Sequence, residues 1–169
     1  IPYITAKHLK PYGLDFEAKP WFISLEHHRE IYSRCDPKQG DVLYIKDGAT
    51  TGIAAINRYS FEFSMLSSLA LLRPKKEFCT SEFLKEWLNN PIVKSNMIGT
   101  MAGAAIQRLT LEKIKKKKIL LPPIELQNKF AEIVKKIEAL KVEKLKSAEK
   151  LENLFQSLQQ KAFKGELFG

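Results

Sequence analysis

The sequence predicts a mixed α+β globular head followed by one long C-terminal α-helix, and three observations support this prediction. Short alternating apolar runs separated by glycine, proline and aspartate fill the first two thirds of the chain, a pattern typical of short strands mixed with helices. The segment Leu120-Leu121-Pro122-Pro123 ends that pattern. After it, an amphipathic helix pattern continues without glycine or proline until Gly165. We therefore predict a globular domain over residues 1–123 and a helical segment over residues 124–169.

The first part of the head is predicted to contain a strand, a turn and a capped helix. Residues 1–5 fit a strand, and residues 9–13 fit a turn. Ser24 can accept a hydrogen bond from the first turn of a helix, so we expect a helix over residues 25–34. The turn formers Asp36, Pro37 and Gly40 then predict a turn before the next strand.

Two pairs of neighbouring strands are predicted next. Apolar side chains alternate between two faces over residues 41–46, Asp47-Gly48 provides a turn, and residues 52–56 fit the returning strand. Residues 61–65 and 68–72 are interpreted as a second pair, which ends at Arg73-Pro74.

Helices are predicted to complete the head. Asn90 is a favourable N-cap and Pro91 fits the first helical position, so a helix should follow and end at Gly99. In chain order we predict a helix over residues 83–88, a helix over 92–98, a small-residue loop over 100–105, a short helix from Thr110 and a last short strand over 118–121.

The C-terminal segment is predicted to form a coiled coil. A heptad frame has apolar residues at most of its core positions, namely Phe130, Ile133, Ile137, Leu140, Leu151, Leu154 and Leu158. Lys144 and Ser147 interrupt this stripe, but Leu145 and Ala148 stand next to them, which indicates a stutter in the stripe and not its end. About five turns of stripe exceed what a small head can cover if the helix folds back on it. We therefore expect the helix, over residues 126–161, to pair with a partner helix.

Composition restricts the partners and the compartment. The net charge is +9, and residues 111–169 alone hold fourteen Lys and Arg against eight Asp and Glu. This excess favours nucleic acid or another anionic surface, although lysine-rich helices are also common as solvated faces. Cys35 and Cys79 lack zinc-binding spacing and fit reduced thiols in a cytoplasmic protein, while His27-His28 fits a helix surface. No apolar run is long enough to span a membrane.

The motifs of common enzymes do not fit this sequence. Residues 48–52 lack both the spacing and the lysine of a phosphate-binding loop. Asn90-Pro91-Ile92-Val93 departs from the Asn-Pro-Pro-aromatic tetrad of adenine methyltransferases. Asp41 and Lys46-Asp47 could be arranged as a nuclease site, but they fit a strand start and a turn better. We predict no catalytic residue and no metal site, and interpret the chain as a binding protein.

Three segments are candidates for DNA contact. Glycines in residues 46–52 allow close backbone approach, and the threonines there can donate to phosphates or base edges, although a plain hairpin turn explains the same residues. Glutamine can pair with adenine and arginine with guanine or phosphate, although residues 100–108 also fit a loop packed into the core. The predicted contacts are Lys46, Thr50 and Thr51, then Gly103, Gln107 and Arg108, and finally Lys7 and His8. The lysines of residues 115–118 fit a general phosphate-steering patch or a solvated face.

Four groups of residues, in this order, resemble the specificity (S) subunits of type I restriction–modification enzymes. The start, residues 1–5 with His8-Leu9, resembles the early strand of their target-recognition domain, and Gly40-Asp41-Val42-Leu43 with Gly48 and Gly52 is similar to its central hairpin. Gly103, Gln107, Leu109 and Thr110, leading into Leu121-Pro122-Pro123-Ile124-Glu125-Leu126-Gln127, resemble its closing segment and the start of the long helix. Residues 158–167 look like the usual end of that helix.

Two departures from the family pattern stand out. The Glu-Gln pair that commonly follows the prolines is here Glu125-Leu126-Gln127. The chain also has one recognition domain and one helix where full subunits have two of each, and the stretch before the early strand is missing. A truncated copy, a half-size subunit that dimerises and a fragment of a longer chain all remain open.

The resemblance implies a function and a set of partners. Each recognition domain of such a subunit reads one half of a split double-stranded DNA target, and two helices pack antiparallel to fix the gap between the halves. Methylation and ATP-driven cleavage belong to separate modification and restriction subunits, so S-adenosylmethionine, ATP and Mg are expected there and no cofactor is expected in this chain. A homodimer or a second half-subunit is expected through the helix. Two alternatives are a coiled-coil adaptor that does not bind DNA and the specificity domain of a longer fused restriction–methyltransferase enzyme.

Overall fold

The computed structural model of the chain describes residues 1–17, 21–99 and 108–166, which form two compact units over residues 1–131 and 132–169. The described strands are β1 (Pro2–Ile4), β2 (Leu9–Lys10), β3 (Gly13–Leu14), β4 (Trp21–Phe22), β5 (Val42–Ile45), β6 (Ala54–Ile56), β7 (Ser64–Met65) and β8 (Leu69–Leu72). The described helices are α1 (Leu25–Tyr32), α2 (Ser81–Asn89), α3 (Pro91–Ile98), α4 (Leu111–Lys115) and α5 (Ile124–Phe163), with a 3-10 turn over Ala6–His8. The predicted mixed α and β head with a long C-terminal helix is confirmed. The coiled coil stays a prediction.

The central sheet has the strand order β6-β5-β8, and both pairings are antiparallel. Every residue of β5 is buried, because one face of the central sheet packs on apolar side chains of β1, β2, β3 and β7 and the other packs on helices α2 and α3. Burial raises the pKa of Tyr44 to about 12, and its hydroxyl lies 3.7 Å from the sulfur of Met97 on α3. The predicted hairpin of β5 and β6 is confirmed.

A second sheet, in the order β4-β1-β7, corrects the predicted pairing of residues 61–65 with residues 68–72. Strand β7 pairs in parallel with β1, and β8 pairs with β5 of the central sheet. Phe63 is fully buried just before β7, in edge-to-face contact with Phe16. Apolar alternation indicates which residues of a strand face the core, but it does not identify the neighbouring strand. The chain therefore passes from one sheet to the next where the sequence suggested a hairpin.

Helices α1, α3 and α4 begin after the residues that the sequence indicates, whereas α2 begins at Ser81, two residues before its predicted start, after the cap Thr80. The side chains of Ser24, Thr80, Asn90 and Thr110 each accept backbone hydrogen bonds at the start of α1, α2, α3 and α4. Two predictions for the head are wrong, one about the burial of His28 and one about a strand over residues 118–121. His28 is buried in the core and not on the surface of α1. Residues 118–121 form no strand, and Leu120 is 92% exposed, because the segment follows the run of exposed lysines that ends at Lys118 and pairs with none of the described strands.

Helix α5 begins at Ile124, two residues before the predicted start. Its first two turns belong to the first compact unit, in which Gln127 and Ala131 are buried. The second unit consists of helix α5 from residue 132 and the short segment after it. None of the helices in the described parts of the chain combines the length and apolar content of a membrane span.

Candidate nucleic-acid interface

The loop between β5 and β6 has a defined conformation fixed by its two glycines. Gly48 and Gly52 adopt φ angles of +103° and +94°, a region that other residues rarely occupy. The Thr51 hydroxyl donates to the Gly48 carbonyl at 2.6 Å, and the Gly52 N–H donates to the Ile45 carbonyl at 2.8 Å. Thr51 is therefore buried as a closing residue of the loop, while Thr50 is exposed at its tip.

Gly52 also lets helix α3 approach the loop closely. A Cβ atom at this position would lie 2.9 Å from both Cγ and Cε of Lys94, and 3.0 Å from Cδ1 of Ile98. The aliphatic part of the Lys94 side chain thus lies directly against the loop backbone, and its ammonium group adds positive charge to this surface. The sequence prediction missed Lys94; a glycine at position 52 indicates close approach, but not which element approaches.

Arg108 lies beside the same loop in the fold, although it comes 56 positions after Gly52 in the sequence. Asp47 and Arg108 form an antiparallel bridge, and the Leu109 N–H donates to the Lys46 carbonyl at 2.7 Å. The Asp47 carboxylate lies 2.7 Å from Nζ of Lys46 and 3.5 Å from Nε of Arg108. The Arg108 side chain is 74% exposed, so its guanidinium is open to solvent beside the ion pair with Asp47.

These contacts define a basic loop surface, by which we mean Lys46, Thr50, Lys94 and Arg108. The segment after helix α4 adds charge next to α3, since Nζ of Lys117 donates to the Asn96 carbonyl on α3 at 3.3 Å. The lysines of residues 115–118 are all exposed. Hydroxyl, ammonium and guanidinium donors on one surface suit a polyanion that offers phosphate oxygens and base edges.

The remaining predicted contacts have different surroundings. Lys7 is exposed and His8 is 2% exposed, both in the 3-10 turn that follows β1. Nδ1 of His8 accepts a hydrogen bond from the Thr5 N–H at 2.9 Å, so its ring caps this turn within the core. A DNA contact by the His8 ring therefore has no support in this geometry. Gly103 and Gln107 lie outside the described residues.

The acidic residue considered for a nuclease site has a structural role. Arg73 donates from Nε and Nη2 to the two oxygens of Asp41, each at 2.8 Å, and the Lys38 N–H donates to the same carboxylate at 2.7 Å. The hydrogen bonds to Asp41 raise the pKa of Arg73 above its ordinary value. This pair of the buried Asp41 and the half-exposed Arg73 ties the start of β5 to the residue after β8. In the ranges that the structure describes, no three His, Cys, Asp or Glu side chains are grouped so that they could hold a metal ion.

Comparisons with known proteins agree on one family. The family model for the type I restriction modification DNA specificity domain matches residues 1–153. The type I restriction enzyme EcoBI specificity subunit of Escherichia coli is 29% identical over 159 aligned residues, 86% of this chain. The chain spans about a third of that relative, 33% of its length. A solved structure from a study of complex assembly and conformational transition of the type I R-M system is similar in fold, with a TM-score of 0.54 at 19% identity, over 99% of this chain and 42% of that one.

Proposed function

The chain belongs to the type I restriction modification DNA specificity domain family, and from this premise we propose that its head reads one half of a bipartite DNA target. The observation that carries the proposal is the bridge between Asp47 and Arg108. It brings an exposed guanidinium next to a glycine-bounded loop that carries Lys46 and Thr50. Arginine is the residue type that most often reads guanine in the major groove.

The basic loop surface divides into two kinds of contact. Lys46 and Lys94 have ammonium groups, which act as point charges for phosphates and set the position of the protein on the duplex. Arg108 and Thr50 can approach base edges, and we assign the sequence discrimination to them. Asp47 lies in an ion pair with Arg108, and we assign to this carboxylate the role of keeping the guanidinium beside the loop.

The chemistry of the system belongs to other chains in this proposal. The protein acts as a non-catalytic specificity subunit that binds modification subunits and a restriction and translocation subunit. S-adenosylmethionine, ATP and Mg act in those partners. Helix α5 packs antiparallel against another helix of the same kind and sets the gap between the two DNA half-sites.

The experiment compares two arginine variants that differ in position and are matched in exposure. Duplexes bound by the wild-type protein are selected from a random library, and the affinity for the selected duplex is measured in a salt series. Arg108→Ala should weaken binding by about 1–3 kcal/mol and reduce the preference over a scrambled duplex. Arg34→Ala removes the same charge from a side chain that is 72% exposed on the surface after α1, and should change the affinity little.

The same measurement separates the proposal from its alternatives. Specific binding should weaken steeply as salt rises, because neutralised phosphates release counterions. Affinity that depends on neither sequence nor salt would favour an adaptor that does not bind DNA. Catalytic motifs in the complete gene around this sequence would favour a fused restriction–methyltransferase enzyme.

A further inference from the structure

The backbone of Lys46 joins the basic loop surface to the turn between β7 and β8. Its N–H donates to the Ser68 carbonyl at 2.9 Å, and its carbonyl accepts from the Leu109 N–H at 2.7 Å. The N–H and the carbonyl of one residue in an antiparallel strand point to the same side, so Ser68 and Leu109 follow each other along one edge of this strand. Arg108 therefore lies beside the turn between β7 and β8.

That turn exposes a hydroxyl group beside Arg108. The Leu69 N–H donates to the Leu66 carbonyl at 2.9 Å, which closes a four-residue turn with Ser67 and Ser68 at its centre. Ser67 is exposed, whereas the Oγ atom of Ser68 is buried. The turn therefore offers the Ser67 hydroxyl to a ligand.

The row of backbone hydrogen bonds continues from this turn to the first strand. The Leu66 N–H donates to the Ile4 carbonyl at the end of β1, at 2.8 Å. The 3-10 turn follows β1 directly, and Lys7 is exposed there. Because β1 and β7 are parallel and β7 leads by a short turn into β8, the ends of β1, β5 and β7 lie along one edge of the head.

We propose that Ser67 contacts a DNA phosphate next to the base pair that Arg108 reads, and that Lys7 contacts a further phosphate along the same edge. This inference rests on the proposed function for the ligand. It adds Ser67, which the sequence did not indicate, and assigns a phosphate contact to Lys7. The major groove is about 8.5 Å deep, so the short serine side chain on a turn reaches phosphates at the rim of the groove, while the longer arginine can reach the base edges.

The charges at the two ends of strand β5 favour this edge. At the start of β5, Arg73 pairs with the carboxylates of Asp36 and Asp41. Nζ of Lys38 lies 3.7 Å from Asp36, so the charges of this group balance. At the end of β5, the three cationic side chains of the basic loop surface lie around the carboxylate of Asp47. The excess of positive charge attracts a polyanion to the end of β5 where the turn between β7 and β8 lies.

The test measures binding of the selected duplex and of a scrambled duplex by the whole chain in a salt series. Ser67→Ala should weaken both affinities about fivefold without changing the salt dependence, because it removes one neutral donor to a phosphate. Ser67→Glu should weaken both by more than about tenfold at low salt, because its carboxylate faces phosphates. Ser67→Thr keeps the hydroxyl and should bind like the wild type. Lys7→Ala should reduce the slope of log affinity against log salt by about 1.

Matched controls come from the opposite end of the same strands. Ser60 precedes β7 and Lys76 follows β8, and both residues are exposed. Ser60→Glu and Lys76→Ala introduce the same changes in charge and should leave the affinity nearly unchanged. Urea unfolding of every variant shows whether the head keeps its stability.

The outcomes separate this inference from the proposed function. Binding by folded Ser67→Glu that equals the wild type would overturn the contact at the turn, and the proposed function stands if Arg108→Ala still loses the preference for the selected duplex. An unchanged salt slope in folded Lys7→Ala would overturn the contact of Lys7. If the wild type shows no preference between duplexes and Ser67→Glu still weakens its binding, base reading is overturned and the phosphate contact stands. Binding that responds to none of these changes would overturn both.

Discussion

One buried polar side chain, that of Gln127, attaches the start of helix α5 to the head. Gln127 is fully buried, and its amide makes three hydrogen bonds. Its oxygen accepts from the Thr80 N–H at 3.0 Å, and its nitrogen donates to the carbonyls of Phe78 at 2.9 Å and Pro122 at 2.8 Å. These bonds join α5 to the residues just before α2. Gln127 is also the glutamine of the segment that resembles the family, and its hydrogen bonds give that segment a physical role.

Replacement of Gln127 by alanine should destabilise the head. The substitution leaves one buried N–H and two carbonyls without this partner, so the free energy of unfolding should fall by about 3 kcal/mol. Gln156→Ala on the same helix is the control, because Gln156 is exposed and its amide donates to the exposed Glu152 one turn away at 3.0 Å. The expected change in the free energy of unfolding is within about 0.5 kcal/mol. Urea unfolding of both variants measures the difference. Equal midpoints would contradict a structural role for the Gln127 amide.

The sequence indicates which residue types can contact DNA, but it indicates less well which residues lie next to them in the fold. Thr50 and Arg108 are exposed as a contact surface requires, whereas the Lys46 side chain is only 12% exposed. The association of Lys46 with Arg108 through Asp47 depends on a bridge between distant parts of the chain. His8 and Thr51 have the chemistry of ligand contacts and are used for local capping and loop closure. Residue type alone cannot separate these uses, because the same donors satisfy backbone groups and phosphates.

At the scale of elements, the sequence predicts where helices begin more reliably than which strands pair. The starts of α1, α3 and α4 are predicted to within one residue, because a capping side chain bonds its own backbone two or three residues away. The partner of β7 and the absence of a strand over residues 118–121 depend on which edges of a sheet are available, which no local window contains. Helix α5 is predicted almost to its ends because its pattern continues over forty residues.

The apolar stripe of α5 gives a prediction for the element as a whole. Changing Leu140, Leu151 and Leu154 together to glutamine should abolish self-association and leave the head folded, because these side chains lie in the second compact unit. Val142→Gln is the control, since Val142 is 52% exposed against 56% for Leu140 but lies on the outer face of the helix. Sedimentation reports association, and far-UV circular dichroism reports the fold. A triple variant that remains dimeric would show that the dimer forms elsewhere.

For the whole molecule, the sequence predicts two parts, and the packing suggests where the first part ends. The predicted boundary lies between residues 123 and 124, where the prolines end. The first compact unit continues to Ala131, because Gln127 and Ala131 are buried and the Phe130 ring lies 6.1 Å from that of Phe83. A sequence pattern marks where a helix begins, but the packing of its first turns depends on contacts with α2 that the pattern does not contain.

Two fragments distinguish these boundaries. A fragment of residues 1–131 should unfold cooperatively, remain monomeric and bind the selected duplex, because it retains the basic loop surface and the contacts of Gln127, Phe130 and Ala131. A fragment of residues 1–123 should be less stable by about 4 kcal/mol, since it loses the three amide hydrogen bonds and the buried apolar contacts of the first helical turns. Urea unfolding measures both stabilities, and sedimentation measures both masses. If the two fragments unfold at the same urea concentration, the first turns of α5 contribute nothing to the head, and the boundary lies at the prolines.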